Sequence, residues 1–171
     1  ALEIIKGAMS NTKFGYKGKY FQFEEVQVEP KPLQRPHPPI YYAAISPKSH
    51  IVAAENGLGL LTLSVGMTPE QIKKRFQLYK DHFVDRPGAL KTISIGVQTY
   101  CHPSSKRAKE EARPSVLRYL ERTVYFYEHT LQAKGLQLDF SKTKEVIKNF
   151  EYLDENNMIA VGGPKEVIEK L

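Results

Sequence analysis

Ser46, Pro47, Lys48 and Ser49 place two hydroxyls and an ammonium within four residues, directly after the apolar run Ile40-Tyr41-Tyr42-Ala43-Ala44-Ile45. Ser-Pro opens a helix, because a Ser side chain can cap a free backbone N–H and the proline ring already holds the φ of a first helical turn. The run before it reads as a buried strand, Ile40 to Ile45. A helix that begins at a strand's carboxyl end aims unpaired N–H groups and the positive end of its dipole at one point, which is where an α/β protein binds phosphate. Capping alone also accounts for the four residues, so the surrounding elements decide how far this reading goes.

Those elements support it. After Ser49 a short helical stretch closes at Gly57, and Leu58 to Leu63 is a second buried strand. Strand, helix and strand with tight turns form a βαβ unit, the building block of parallel sheets whose ligands sit at strand carboxyl ends. Thr68-Pro69-Glu70-Gln71 is a capping box, and Ile72, Phe76, Tyr79 and Phe83 follow it at the spacing of one helical face. Thr92 to Tyr100 alternates as a single strand. A long helix is expected from Ser104 to about Leu131, with a kink or restart at Pro114. Phe140 to Tyr152 is an irregular or helical connection, Met158 to Val161 a last short strand, and Gly162-Gly163-Pro164 the start of a final helix. From residue 40 onward this makes about four β/α units, and eight such units make a (β/α)8 barrel of about 250 residues. Residues 1–39 differ in kind: an amphipathic helix, an aromatic hairpin arm over Phe14 to Phe23, and a connector with five prolines between Glu29 and Pro39. We read residues 1–171 as a single partial domain, half of a barrel, because neither end of the chain carries a helix boundary signal.

At 171 residues with a net charge of +6, the chain has length enough for one core. Its basic residues alternate with acids, as in Lys106-Arg107-Ala108-Lys109-Glu110-Glu111, which describes a solvated helix face rather than a nucleic-acid surface. No stretch reaches the apolar length of a membrane span, and no signal peptide is visible. The single cysteine, Cys101, favours a reducing compartment, and the expected location is the cytoplasm. No metal-ligand spacing occurs among the histidines, His37, His50, His82 and His129 included.

The order of motifs resembles the carboxyl-terminal half of bacterial-luciferase-like flavin-dependent monooxygenases, which have TIM-barrel folds. The motifs are Gly-Lys-Tyr-Phe-Gln-Phe at 18–23, Pro-Lys-Pro-x-Gln-Arg-Pro-x-Pro-Pro-Ile at 30–40 and Ala-Ala-x-Ser-Pro-x-Ser at 43–49. Ala-Ala-x-x-Gly-Leu-Gly at 53–59 and Val-Gly-x-Pro-x-Glu-Val at 161–167 complete the series. The resemblance implies an enzyme that uses reduced FMN and molecular oxygen to oxidise an organic substrate, with F420 as the alternative cofactor. It implies that the segment matching Ile45, Ser46 and Ser49 contacts the flavin phosphate. The family often has an acid where this chain has Ile45, which leaves that contact to the Ile45 backbone. Leu61 and Leu63 match positions near the flavin ring, and both also suit a barrel core. Most of the family's catalytic residues lie in the amino-terminal half, so this chain's partner would be that half. Homo- or hetero-dimerisation is a further expectation.

Within the chain, His102 stands after a strand and before a Pro-Ser helix start, so it would face a barrel's carboxyl-terminal side and could contact substrate or assist proton transfer. Cys101 reads as a small buried residue. Gly162-Gly163-Pro164 is a rival phosphate site, since barrels often bind phosphate on their last loops. Two alternatives to the oxygenase stay open: a flavin or F420 binder without oxygenase chemistry, and a half-barrel that assembles with itself or a partner.

Overall fold

The computed structural model describes residues 1–65, 67–133, 135 and 140–171. The chain opens with helix α1 (Leu2–Ser10) and the hairpin β1 (Phe14–Lys17) and β2 (Gln22–Val26), which pair antiparallel as the aromatic pattern predicts. Phe14, Tyr16 and Phe23 cluster on it, with Phe14 and Phe23 edge to face at 5.9 Å. The proline-rich connector carries no regular element and delivers the chain to β3 (Tyr41–Ala43).

Next come α2 (Pro47–Glu55), β4 (Gly59–Leu63), α3 (Pro69–His82), β5 (Ile93–Gly96) and β6 (Thr99–Cys101). They are followed by α4 (Ser105–Ala133), α5 (Ser141–Val146), α6 (Phe150–Glu155), β7 (Ala160–Gly162) and α7 (Pro164–Lys170). Strands β3, β4 and β5 form one parallel sheet in that order, and β6 pairs parallel with β7 in another. The alternation of strand and helix expected from residue 40 onward is therefore present.

Three expectations change. Thr92 to Tyr100 is two strands: the first half pairs with β4 and the second with β7, and the path changes neighbours at Val97 and Gln98. The alternating pattern encodes an extended backbone but not which strand lies beside each half. The first strand is not buried: Tyr41 is 43% and Tyr42 37% exposed, because β3 is an edge with β4 on one side alone among the described residues. Helix α4 runs through Pro114 without a restart. Pro114 and Glu110 both lie on the exposed face, so the carbonyl deprived of its donor is on the hydrated side. Among the described residues, no helix is long and apolar enough to cross a membrane.

Two cores hold the layers. Ala108, Ala112, Val116, Leu120 and Val124 recur every fourth residue along α4 and pack with Ile147, Phe150, Leu153, Ile159 and Val161. Ala44, Ala53, Ala54, Leu60 and Tyr79 form the second, between the β3–β5 sheet and helices α2 and α3. Tyr79 is wholly buried, and its hydroxyl lies 2.8 Å from the Leu58 carbonyl and 3.2 Å from that of Leu90, just before β4 and β5 respectively. It ties the two strand entries to one side chain. Replacing Tyr79 by Phe keeps the ring and leaves both carbonyls without this donor, so we expect a loss of about 1–3 kcal/mol in urea unfolding with an unchanged slope.

Candidate functional site

The turn from β3 into α2 is locked by its own side chains. Ser46 is the N-cap, its Oγ accepting from the Ser49 N–H at 3.2 Å, and Pro47 occupies the first turn. Ser49 Oγ donates to the Ser46 carbonyl at 2.7 Å and accepts from the Ile45 N–H at 3.2 Å. The Ser46 hydroxyl lies 3.1 Å from Ser49 Oγ. The same Ser46 carbonyl accepts from the backbone N–H of His50 at 3.2 Å and from His50 Nδ1 at 2.8 Å, which fixes the neutral ring as the Nδ1–H tautomer. Among the first-turn amides Pro47 has no N–H and Ser49 is capped, so the Lys48 N–H is left to point out of the helix without a partner among the described residues.

Helix α2 ends as cleanly as it starts. Gly57, at φ +64°, sends its N–H to the Ala54 carbonyl and Leu58 sends its own to Ala53, a Schellman closure that turns the chain into β4. The Ala44 N–H donates to the Leu61 carbonyl at 2.8 Å, carrying the parallel ladder up to the site. On β4, Leu60 and Thr62 are buried beneath the helices, while Leu61, 43% exposed, and Leu63 alternate onto the open face.

Ile45, Ser46, Pro47, Ser49 and Leu63 all line one cleft of about 810 Å³. The Lys48 side chain is exposed outside its lining, so what Lys48 brings to the turn is its backbone. Leu61 stands one pleat below Leu63, also outside the lining. Helix α3 adds Gln71, Lys74 and Arg75 to the lining, and the remainder is mostly apolar, from Val65 and Met67 after β4 to Val124, Tyr127 and Leu131 on α4 and Phe140, with Thr130 and Thr143 among them. The cleft thus has two cations and no carboxylate among its described lining residues. Burial pushes the Arg75 guanidinium below its ordinary pKa, and its Nη1 is buried without a partner among the described residues. The α3 residues escaped the sequence reading because the apolar stripe defined that helix. Their signal is the neighbouring stripe at 71, 74 and 75, spaced for one face beside a capping box. That capping box is present: Gln71 accepts from the Thr68 N–H at 2.8 Å and Thr68 from the Gln71 N–H at 3.4 Å.

His102 lies elsewhere, on the turn from β6 into α4, where its Nδ1 accepts from the Ser104 N–H at 2.9 Å. The neutral ring therefore carries its proton on Nε2. Cys101 is exposed at the end of β6, contrary to the buried role expected for it. The rival site at Gly162-Gly163-Pro164 is already filled. Glu166 Oε2 accepts from the Gly163 N–H at 2.7 Å, and a Cβ on Gly162 would sit 2.6 Å from the same oxygen. Hydrogen bonds from Ser105 and then from the Gly163 N–H hold the Glu166 carboxyl below its usual range. An ionised carboxylate over the loop repels a phosphate.

His50 provides a pH test of the turn. It is fully buried, and burial lowers its pKa below the ordinary 6.5, with the charge of Arg75 acting in the same direction. The unfolded chain then binds a proton that the folded chain refuses. Its share of stability is present above pH 6.5 and is lost as the pH falls toward the folded-state value, by about 1.4 kcal/mol per unit of pKa difference. In urea unfolding at pH 7 and pH 5, the gap between the wild type and His50→Gln should narrow at the lower pH. A constant gap means that His50 titrates alike in both states.

The chain is similar to a known family and to three individual proteins. A family model described as luciferase-like monooxygenase matches residues 1–171. The oxygenase component of the flavin-dependent trigonelline monooxygenase of Acinetobacter baylyi is 28% identical over 166 residues, covering 92% of this chain and 44% of that protein. Among solved structures, the FMN-bound oxygenating constituent of 3,6-diketocamphane monooxygenase from Pseudomonas putida superposes with a TM-score of 0.64 at 19% identity, over 99% of this chain and 50% of that one. An F420-dependent secondary alcohol dehydrogenase gives 0.57 at 17% identity, over 99% and 49%. The chain spans about half the length of these relatives.

Proposed function

The chain belongs to the luciferase-like monooxygenase family, and on that premise we propose that it is the phosphate-holding half of a flavin-dependent monooxygenase barrel that oxidises a small organic substrate with reduced FMN and oxygen. The observation that carries the reading is the cleft at the β3–α2 turn: a helix start, two serine hydroxyls and two cations face a common space with no acid in its described lining. A phosphate monoester fits that donor set. The Lys48 N–H supplies the backbone donor that the turn leaves free, and an arriving phosphate would draw the Ser46 and Ser49 hydroxyl protons and the Ile45 N–H away from their partners within the turn. Leu61 and Leu63, on the open face of β4, offer apolar surface for the ring.

Reduced FMN supplies the electrons that activate oxygen. The protein binds its phosphate, orients the ring against the strand ends and keeps water away. His102, on the turn from β6 into α4, is assigned to the substrate side, where its Nε2–H can donate a hydrogen bond. The edge of β3 that is unpaired among the described residues, with Tyr41 and Tyr42 exposed, supports completion of the barrel by an amino-terminal half. F420 is the second reading for the cofactor, favoured by the fold neighbour that uses it and by a cleft whose cations accept either cofactor's phosphate.

The test is flavin binding in the full-length protein, followed by fluorescence quenching. Ser46→Ala combined with Ser49→Ala should weaken FMN about tenfold or more, given about 1.5–3 kcal/mol for each hydrogen bond to a charged group. Riboflavin, which lacks the phosphate, should bind as before. Unchanged FMN affinity removes the assignment of this turn.

A further inference from the structure

We propose that Arg75, with Lys74 beside it on α3, forms the second wall of the phosphate site, so that a phosphomonoester is held between two helices rather than on the α2 turn alone. The inference rests on the phosphate reading of that turn and adds a residue set from a different helix.

The turn's own polar groups are nearly all matched. Both serine hydroxyls, the Ser46 carbonyl, the Ile45 N–H and the Ser49 N–H have partners within the turn. Arg75 is the reverse: its Nη1 is buried without a partner, and no carboxylate pairs with it among the described residues. Elsewhere the fold does match its cations on the cores. Lys109 and Lys170 both meet Asp154, and Arg113 meets Glu151. A guanidinium cannot shed its proton to escape the cost of burial, so an unmatched buried N–H is a standing penalty unless an anion arrives.

Position supports the same conclusion. Arg75 and Lys74 line the cleft that Ser46 and Ser49 line, and α2 packs directly on α3. The charge of Arg75 acts on His50, whose Nδ1 holds the Ser46 carbonyl, in the same direction as burial. Gln71 shares the wall, but its Oε1 is committed to the Thr68 N–H. The arrangement suits a planar fork with a neighbouring point charge, the pairing that takes a dianionic phosphate.

The experiment uses the full-length protein with Arg75→Gln, Arg75→Lys and Lys74→Gln, measuring dissociation constants for FMN and riboflavin by fluorescence quenching, competition by inorganic phosphate, and the ligand-free thermal midpoint. Arg75→Gln should weaken FMN about 10- to 100-fold and abolish phosphate competition, leaving riboflavin unchanged and the ligand-free midpoint at or above that of the wild type. Arg75→Lys should keep part of the FMN affinity, and Lys74→Gln should cost less than Arg75→Gln. FMN affinity within twofold of wild type in Arg75→Gln overturns the proposal. So does an equal loss for FMN and riboflavin, or a lowered midpoint accompanying the loss, since each marks a structural role. If the wild type binds FMN no tighter than riboflavin, the phosphate reading of the turn fails along with it. If the Ser46 and Ser49 variant loses FMN while Arg75→Gln does not, only the second wall is removed.

Discussion

The parallel pairing of β3 with β4 is the constraint from which the site follows. Parallel neighbours cannot be joined by a tight turn, so the chain must leave the end of β3, cross the sheet as a helix, and return to the start of β4. The helix must then begin at the strands' carboxyl ends, and its free N–H groups are aimed there by geometry before any side chain is chosen. Sequence fixes the details of that crossover at both ends. Ser46 and Ser49 lock its entry and Gly57 its exit, while Tyr79, clamped on the carbonyls of Leu58 and Leu90, holds the starts of β4 and β5 together. The site is precise because the backbone on either side of it has little freedom left.

Two loops with similar local sequence logic diverge through electrostatics. Both the α2 and α7 starts place Pro at the first helical position after a small residue, and both offer backbone donors. At α7 the chain supplies its own anion, Glu166, which folds back over Gly163 and stays ionised. At α2 no carboxylate lines the cleft among the described residues, and α3 adds cations instead. A helix start is thus a permissive feature. What surrounds it separates a start covered by its own carboxylate from one left open to an anion.

Signals confined to a few residues were legible in the sequence. The Ser46 cap, the Thr68–Gln71 capping box, the Gly57 closure and the hairpin all depend on neighbours within about one turn, and each is present. What was not legible depends on residues far apart. Thr92 to Tyr100 reads as one strand because alternation reports an extended backbone, whereas the change of partner at Val97 and Gln98 is set by β4 on one side and β7 on the other. The apolar run before Ser46 reads as buried, yet within it Ala44 is in the core while Tyr41 and Tyr42 are exposed on a strand that has β4 as its one neighbour among the described residues. Arg75 went unread for the same reason: on its own helix it is one more polar residue beside an apolar stripe, and only packing of α3 on α2 brings it to the cleft that Ser46 and Ser49 line.

The faces of β4 carry the argument furthest. Parallel sheets are ordinarily covered on both sides, but here Leu60 and Thr62 lie under helices while Leu61 and Leu63 face open space. The strand path beside β4 changes neighbour to β7 at Val97 and Gln98. On the reading proposed above, the inward side chains wait for those of further strands. A flavin has the matching polarity, with an anionic phosphate at one end and an aromatic ring at the other. Helix starts and cations gather at the strand ends, and leucines line the pleat below them, so the polar and apolar halves of one ligand would each meet the surface that costs least to desolvate.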